Sequence, residues 1–360
     1  MKLAAVRDVF THAGPFVTVH AEVGRETEDA RAQLDARWGN IRRQLEQEGL
    51  DGALIERIGE RIHENTRVPG QARRTIVAAD DEIVFDDVQV GHSMWPETAE
   101  VAPLPDLSGW LRQADGTLPF LLVVASRDGA DIDFYRATSD PTAEHHEVQG
   151  ETLHLQKVPQ GDWAQKQYQQ RSENVWKHNA EEVADVVRSV YRRHRPRAVL
   201  LAGEERARAE VTSALDDLDS ELIQIEAGGR AAGASEEALW EEIRVTLARL
   251  AAYDQQQVAD RLSENVGQGR GAAQGVDDVL DALVKGQVER LVMDLDSAGE
   301  RTVRPAEHPG LALPAATGDA ELPADRVLVA AGALTDVEVT VLPTQQTAGP
   351  GVAALLRWDD

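Results

Sequence analysis

Residues 163–172 place amide, cationic and aromatic side chains at the start of a long predicted helix that ends at residue 194. The back half of this helix has apolar residues near a 3.6-residue period, which predicts a face packed on a core. These apolar residues are Trp176, Val183, Val186, Val187, Val190 and Tyr191. The front half has no such stripe, and at about 1.5 Å per residue it would extend roughly 15 Å beyond the packed half.

The side chains of this front half fit two interpretations. They form either a solvated helical end or a probe whose amides and phenol pair with, or stack on, unpaired RNA bases. For the second interpretation the candidate contacts are Asp162, Trp163, Gln165, Lys166, Gln167, Tyr168 and Arg171.

Arginines form a second candidate site. Between residues 57 and 74 there are five arginines against two glutamates, so this stretch is locally basic. Arg73 and Arg74 follow a Pro69–Gly70 break and precede a predicted strand. They mark either an exposed strand start or a loop in which guanidinium groups grip phosphate oxygens. The candidate contacts on this side are Arg67, Gln71, Arg73 and Arg74.

The sequence contains no arrangement typical of a catalytic or metal site. It has neither a Gly-x-Ser-x-Gly elbow nor a His-Glu-x-x-His helix, and no carboxylate pair is placed in an apolar pocket. His145, His146 and His154 cannot all converge, because adjacent strand residues point to opposite faces of a sheet. We therefore predict no catalytic residue, no metal and no cofactor.

Two glycine-rich stretches predict connections rather than nucleotide sites. Residues 267–271 follow a predicted helix, whereas a phosphate-binding glycine loop follows a strand. Residues 228–233 follow a strand and lead to Ser235, a predicted helix N-cap, but they lack the lysine and hydroxyl of a P-loop.

Composition restricts the class of protein. With 360 residues and 42% hydrophobic content, the chain predicts two or three domains. The absence of cysteine excludes disulfides and thiol catalysis. No apolar run has the length of a signal peptide or membrane helix, so we expect a cytoplasmic protein without membrane contact.

The charge distribution separates two kinds of partner. A net charge of −26 argues against nucleic-acid binding in general, DNA included. Residues 57–74 are nevertheless locally basic, as are residues 163–178, where Lys166, Arg171 and Lys177 face only Glu173, and these two stretches still allow RNA contacts. Residues 264–360 contain seven lysines and arginines against sixteen aspartates and glutamates. Such an acidic segment favours a protein partner.

The candidate contacts lie on helices and strands whose order along the sequence predicts a protein of mixed α/β and α+β class with three domains. Residues 1–138 predict an α+β domain with a strand at 14–19, two helices, strands around Asp80–Asp81, and a hairpin closed at 127–129. Residues 139–266 predict an alternating α/β domain that contains the long helix and a buried strand at 198–203. Residues 267–360 predict a further α/β domain that ends in the strand 352–358.

Several stretches, in this order, resemble the bacterial members of the archaeo-eukaryotic release factor and Pelota superfamily, especially the actinobacterial branch of Balon-like ribosome hibernation factors. The stretches that carry the resemblance are Gly14–Val19, Asn179–Ala184, Ala198–Glu204, Gly275–Leu291 and Gly351–Trp358. The resemblance implies a three-domain body with a long middle-domain helix. It also implies that the first domain faces the decoding centre of the ribosome and that the helix faces the peptidyl transferase centre.

The chain departs from the release factors of that superfamily at their hydrolytic tip. Those proteins carry Gly-Gly-Gln just before the long helix, where this chain has Gln160-Gly161-Asp162-Trp163. The first domain also lacks the Asn-Ile-Lys-Ser loop that reads stop codons. The resemblance therefore implies occupation of the ribosomal A site without peptide hydrolysis, and elongation factor Tu as the partner of the acidic third domain.

Three hypotheses follow. The first is a ribosome hibernation factor that binds small-subunit and large-subunit rRNA, blocks translation, and is a monomer away from the ribosome. The second is a rescue factor that hydrolyses peptidyl-tRNA through Gln165 or Gln167. The third is a stress-associated adaptor that binds only proteins. Peptide release from loaded ribosomes would separate the second hypothesis from the first, and absence from ribosomal fractions of starved cells would favour the third.

Overall fold

The computed structural model describes residues 1–24, 29–65, 71–90, 96–136, 143–150, 162–227 and 235–358. Of Val90 and residues 162–174 it describes the backbone and not the side chains. The chain divides into two compact units, one formed by residues 1–116 and 251–360, the other by residues 117–250. Among the helices in the described parts of the chain, none has both the length and the hydrophobicity of a membrane-spanning segment.

The amino-terminal part of the two-segment unit is a four-stranded antiparallel sheet with two helices. A 3₁₀ helix at Leu3–Thr11 precedes it. Its strands are β1 (Phe16–Glu22), β2 (Ala72–Ala79), β3 (Glu82–Val90) and β4 (Thr98–Ala102), in the order β3-β2-β1-β4. Its helices are α1 (Ala30–Gln47), α2 (Gly52–His63) and, after the last strand, α3 (Ser108–Asp115). Leu34, Ile41 and Leu45 of α1 are buried together with Ile55, Ile58 and Ile62 of α2, as their spacing predicts.

The β2–β3 hairpin turns at Asp80 and Asp81. Both residues have positive φ, 50° and 60°. Positive φ at both central residues is the geometry of a type I′ turn, which asparagine and aspartate tolerate best after glycine. The predicted turn at this position is confirmed.

The carboxy-terminal part of the same unit is a second four-stranded sheet in the order β10-β15-β11-β14. Its strands are β10 (Ala272–Gln274), β11 (Val288–Met293), β14 (Glu338–Val341) and β15 (Val352–Leu356). Its helices are α7 (Val276–Val284), α8 (Leu295–Gly299) and α9 (Ala324–Leu334), and a short ribbon pairs β12 (Thr302–Val303) with β13 (Leu322–Pro323). Strand β11 runs parallel to β14 and antiparallel to β15.

One hydrophobic core joins the two parts of this unit. Phe10, Leu104 and Leu111 from the amino-terminal part lie in the same buried cluster as Leu280 and Leu328 from the carboxy-terminal part. Because a domain is defined by its own core, residues 1–116 and 251–360 form one body. The sequence had predicted separate first and third domains.

The unit formed by residues 117–250 contains a five-stranded mixed sheet in the order β7-β6-β5-β8-β9. Its strands are β5 (Phe120–Ser126), β6 (Gly129–Tyr135), β7 (Glu144–Gln149), β8 (Ala198–Gly203) and β9 (Glu221–Gln224). Strands β5, β8 and β9 are parallel, and β6 and β7 add to the β5 edge antiparallel.

Helices cover both faces of this sheet. The long helix α4 (Asp162–His194) and α5 (Glu205–Ala214) pack on one face, against residues such as Leu121 and Val199. The other face is covered by the first half of α6 (Glu236–Gln268), through Leu239, Ile243 and Leu247. The predicted N-cap of α6 is confirmed, since the Ala238 amide donates to Ser235 Oγ at 3.2 Å.

Two boundaries differ from the prediction. The hairpin β5–β6 was assigned to residues 1–138, but β5 pairs with β8 from Phe120–Ala198 to Ala125–Gly203, so it belongs to the middle sheet. The predicted linker at 267–271 is the end of α6 and a tight turn, with Gly269 and Gly271 at positive φ, and β10 begins at the next residue. The glycine stretch 228–233 lies outside the described residues.

Candidate functional site

The long helix α4 is held on the middle sheet by its back half. Val183, Val187 and Val190 are buried against Leu121, Val123 and other core residues of β5 and β8. Their spacing of three and four residues keeps them on one side of the helix. The helix and its packed back half, both predicted from the sequence, are confirmed.

The front of α4 is helical in its backbone from Asp162 onwards. Thirteen residues, 162–174, precede the first described side chain of the helix and correspond to roughly 20 Å of helix. The predicted RNA contacts on this segment lie outside the described side chains and stay predictions. They are Asp162, Trp163, Gln165, Lys166, Gln167, Tyr168 and Arg171.

Beyond this segment, α4 is anchored to the turn that closes the β5–β6 hairpin. The buried Asn179 side chain donates through Nδ2 to the carbonyl oxygen of Arg127 at 3.0 Å. Gly129 in the same turn has a φ of 137°, and a Cβ there would lie 1.8 Å from the carbonyl oxygen of Val148. The turn therefore requires glycine, and the Asn179 hydrogen bond attaches α4 to it.

A cation–aromatic pair lies beside this anchor. The guanidinium carbon of Arg206, on α5, is 4.6 Å from the centroid of the Trp176 ring. Such a stack stabilises the contact between the two helices while leaving the cation near the surface. Trp176 was predicted as part of the apolar face, and the structure places it, half-buried, at the edge of that face.

The other end of α4 carries a cationic cluster that the sequence analysis missed. Residues 192–197 include Arg192, Arg193, His194, Arg195 and Arg197. Arg192 and Arg195 are exposed and have no acidic ion-pair partner among the described residues, while Arg195 stacks on the Tyr191 ring at 5.7 Å. A count of charge along the chain would have found this run, because it is more basic than either stretch considered above.

The neighbouring carboxylate of Glu144 ties β7 to the end of α4. It accepts hydrogen bonds from His146 Nε2 and His194 Nε2, each at 2.6 Å, and from Arg193 Nη1 at 2.5 Å. Hydrogen bonds from His146 and His194, with a further contribution from Arg193, lower the pKa of Glu144 to about 2. The His194 ring also stacks on Phe134 at 4.1 Å, which holds the histidine in this position.

The two described histidines of β7, His145 and His146, do not converge. His145 points away from His146 and hydrogen-bonds Asp133 at 2.7 Å, and this bond raises the pKa of His145. His154 lies outside the described residues. Across the described parts of the chain, no group of three His, Asp or Glu side chains could hold a metal ion.

Arg74 is buried inside the amino-terminal domain, with 5% of its side chain exposed. Its Nε donates to Asp86 at 2.6 Å, and its Nη2 donates to both Glu64 and Asp86 at 2.8 Å. The remaining amino group contacts the carbonyl oxygen of Arg61. Each nitrogen of this guanidinium has an acceptor within the fold, which disfavours the predicted phosphate contact from Arg74.

The other three candidates of this basic stretch differ from one another. Arg73 is 13% exposed, with Nη1 donating to the Pro96 carbonyl at 3.2 Å and Nε lying 4.0 Å from Glu22. Gln71 is exposed at the start of β2. Arg67 lies outside the described residues. Gln71 thus remains the accessible described member of the predicted set.

The comparisons with known proteins identify the middle domain. Residues 119–268 match the family described as "Bacterial archaeo-eukaryotic release factor family 2". An uncharacterized protein of Mycobacterium tuberculosis, Rv2629, is 26% identical over 99% of this chain and 97% of its own length. The family match at residues 119–268 begins next to the first strand of the middle sheet and includes α4.

The solved structures that are similar to this chain include several Pelota proteins. Pelota of Archaeoglobus fulgidus is 15% identical with a TM-score of 0.31, covering 79% of this chain and 80% of its own. Dom34 of S. cerevisiae, a translation termination-like factor, is 10% identical with a TM-score of 0.41, covering 81% of this chain and 80% of its own. An archaeal Pelota, from a model of ribosome-bound Pelota and ABCE1, is 14% identical with a TM-score of 0.41, covering 99% and 94%.

The similarity to the bacterial archaeo-eukaryotic release factors is carried by residues 119–268, which include α4. The fold of the chain is mixed α/β, as its sequence predicts.

Proposed function

We propose that this protein is a ribosome hibernation factor that occupies the ribosomal A site and blocks translation without hydrolysing peptidyl-tRNA. The observation that carries the proposal is helix α4, which begins at Asp162 inside the family-matched segment. It begins where release factors of the superfamily carry Gly-Gly-Gln, and this chain has Gln160-Gly161-Asp162-Trp163 there. A polar helix without that tip can fill an RNA cavity but lacks the device for hydrolysis.

In this proposal the front of α4 enters the peptidyl transferase centre of the large subunit. Base stacking on Trp163 and Tyr168 and hydrogen bonds from Gln165 and Gln167 would supply contacts that do not require a basic protein. Arg192 and Arg195 at the other end of α4 provide cations for rRNA phosphates. Gln71 and Arg67 remain the candidates on the decoding side.

The proposed protein partner is elongation factor Tu, which would contact the acidic carboxy-terminal part. The basis is the charge of residues 264–360, with sixteen acidic against seven basic residues, and the resemblance stated above. The protein would be cytoplasmic and ribosome-associated, and a monomer away from the ribosome. It would need no cofactor.

Co-sedimentation with ribosomes tests the role of the helical front. We expect Trp163→Ala with Tyr168→Ala to weaken binding about tenfold or more, since base–aromatic stacking contributes about 1–3 kcal/mol per base. Glu181→Ala, an exposed change in the packed half of the same helix, is the matched control and should bind like the unmutated protein. Equal binding of both variants would contradict insertion of the helix.

A peptide-release assay separates hibernation from rescue. Purified protein is added to ribosomes loaded with radiolabelled peptidyl-tRNA, and a release factor serves as the positive control. Hibernation predicts release no faster than in buffer, together with inhibition of peptide transfer. Release that is lost in Gln165→Ala or Gln167→Ala would instead establish the rescue function. Failure of the protein to sediment with ribosomes at any salt concentration would favour a protein-binding adaptor.

A further inference from the structure

Four of the nine residues that line an open cleft of about 390 Å³ in the two-segment unit are acidic. Asp106, just before α3, forms one side, and Asp296 and Glu300 of the α8 region form another. Asp325 and Arg326, in the first turn of α9, form the base. These residues come from segments almost 200 positions apart, so a sequence window does not show them as a group.

The single cation of this lining is already engaged. Arg326 Nη1 lies 2.8 Å from Glu100, and its Nη2 lies 3.6 Å from Asp106. Asp296 pairs with Arg112 at 2.6 Å. In the part of the chain that the structure describes, no cation pairs with Asp325 or Glu300. The cleft therefore has an excess of negative charge.

Asp325 has one oxygen atom without a partner. Its carboxylate is 5% exposed, and its Oδ2 accepts a hydrogen bond from Ser108 Oγ at 2.7 Å. Its Oδ1 is buried and accepts no hydrogen bond from any described residue. An unsatisfied buried carboxylate oxygen is costly, because its hydration is lost and nothing replaces it. Burial accordingly raises the pKa of Asp325.

Gly299 is the residue of the cleft wall that lies next to this buried oxygen. Gly299 lines the cleft, and a Cβ placed on it would lie 3.6 Å from Asp325 Oδ1, an ordinary contact distance. Because position 299 has no side chain, there is room beside the oxygen for an atom the size of a Cβ. An alanine would fill it without a clash and without a change of charge.

We propose that this cleft binds a guanidinium group, presented by an arginine side chain of a protein partner. A guanidinium has several donors in one plane and can satisfy Asp325 Oδ1 and a second carboxylate at once. A divalent cation fits less well, since the described residues do not form a three-ligand metal cluster here. The proposal concerns the two-segment unit and does not depend on the ribosome-binding proposal.

Titration with short peptides, followed by NMR of the full-length chain, tests this proposal. The probe is N-acetyl-Gly-Arg-Gly-amide, and the matched control is the citrulline peptide, which has the same shape without the charge. We expect the arginine peptide to shift the amide signals of Gly299 and Glu300 in a saturable manner, and the citrulline peptide to bind at least tenfold more weakly. Spermidine and Mg²⁺ serve as further probes, and we expect both to bind more weakly than the arginine peptide.

Two variants locate the binding group. Gly299→Ala should weaken binding of the arginine peptide about tenfold by filling the space beside Oδ1, and Asp325→Asn should weaken it at least as much. Asp319→Asn, an exposed acidic residue of the same unit, should leave it unchanged, and circular dichroism of each variant checks folding. Equal binding of arginine and citrulline peptides would overturn the proposal. So would tighter binding of spermidine or Mg²⁺, or wild-type binding by a folded Gly299→Ala variant.

Discussion

Two arginine-rich stretches of this chain have opposite environments. In residues 57–74, the described arginines contact acidic residues or carbonyl groups of their own domain, and Arg74 is buried between Asp86 and Glu64. In residues 192–197, Arg192 and Arg195 remain exposed at the end of a helix. The first stretch has a positive charge when residues are counted along the sequence. In the folded protein, Asp86 of the paired strand β3 lies against its arginines and offsets that charge. The second stretch presents its positive charge on the protein surface.

The difference shows what a local charge count measures. The register of β2 and β3 pairs Arg74 with Val88 and Thr75 with Asp87, so the acidic residues of β3 lie next to the arginines of β2. A helix end has no such opposing strand, and its cations extend into solvent unless a neighbouring element supplies carboxylates. We therefore expect residues 57–74 to stabilise the domain and residues 192–197 to bind phosphate.

The largest expected effect is on stability, from Arg74→Met. The substitution leaves Asp86 without its buried partner, and removing one member of a buried ion pair destabilises proteins by about 3–5 kcal/mol. Arg61, which also contacts Asp86, compensates in part, so we expect about 3 kcal/mol in urea unfolding. Arg192→Met, an exposed change, should stay within about 0.5 kcal/mol. Similar losses in the two variants would remove the distinction between the stretches.

The next effect is on ribosome binding, from Arg192→Glu combined with Arg195→Glu. If both side chains contact phosphates, the double variant should bind at least tenfold more weakly at low salt. The slope of log affinity against log salt concentration should fall by about 2. The control is Arg244→Glu with Arg249→Glu, which makes the same charge change on exposed positions of α6. If control and test variants lose affinity equally, only net charge matters and the cluster has no specific role.

The sequence predicted those parts of the molecule that depend on local periodicity. The stripe through Val183, Val187 and Val190 predicted α4, and Asp80–Asp81 predicted the β2–β3 turn. The missed elements are short, as with α3, whose eight residues bury Trp110 and Leu111 but span barely two turns. Strand β5 was found but assigned to the wrong domain, because its partner β8 lies about 80 residues away.

The candidate site could be predicted only in part, for the same reason. The long helix and its lack of a Gly-Gly-Gln tip are visible in the sequence. The burial of Arg74 depends on Asp86 across a strand pair, and the orphan oxygen of Asp325 depends on Ser108, over 200 residues away. Contacts of this kind follow from tertiary packing, which spacing along the chain does not encode.

The smallest expected effect concerns Glu144, which joins the exposed cationic cluster to β7. Its folded pKa of about 2 lies below the ordinary value of 4.5, so the folded state favours the ionised carboxylate. The stabilisation is therefore complete above about pH 4.5 and is lost as the pH falls toward 2. Because the contacts lie near the surface and solvent screens them, we expect about 1 kcal/mol.

Urea unfolding of Glu144→Gln between pH 7 and pH 3 measures this contribution. The variant should be less stable by about 1 kcal/mol at pH 5, and the difference should shrink at pH 3, where protonation begins to remove the same charge from the unmutated protein. Glu181→Gln, an exposed change on α4, should show no pH-dependent difference. If the loss of unfolding free energy in Glu144→Gln stays constant down to pH 3, the carboxylate acts through its shape and hydrogen bonding and not through its charge. The charge of Glu144 would then not contribute to positioning residues 192–197. By contrast, ion pairs with Asp86 and Glu64 hold Arg74, so the two stretches would also differ in the interaction that fixes them.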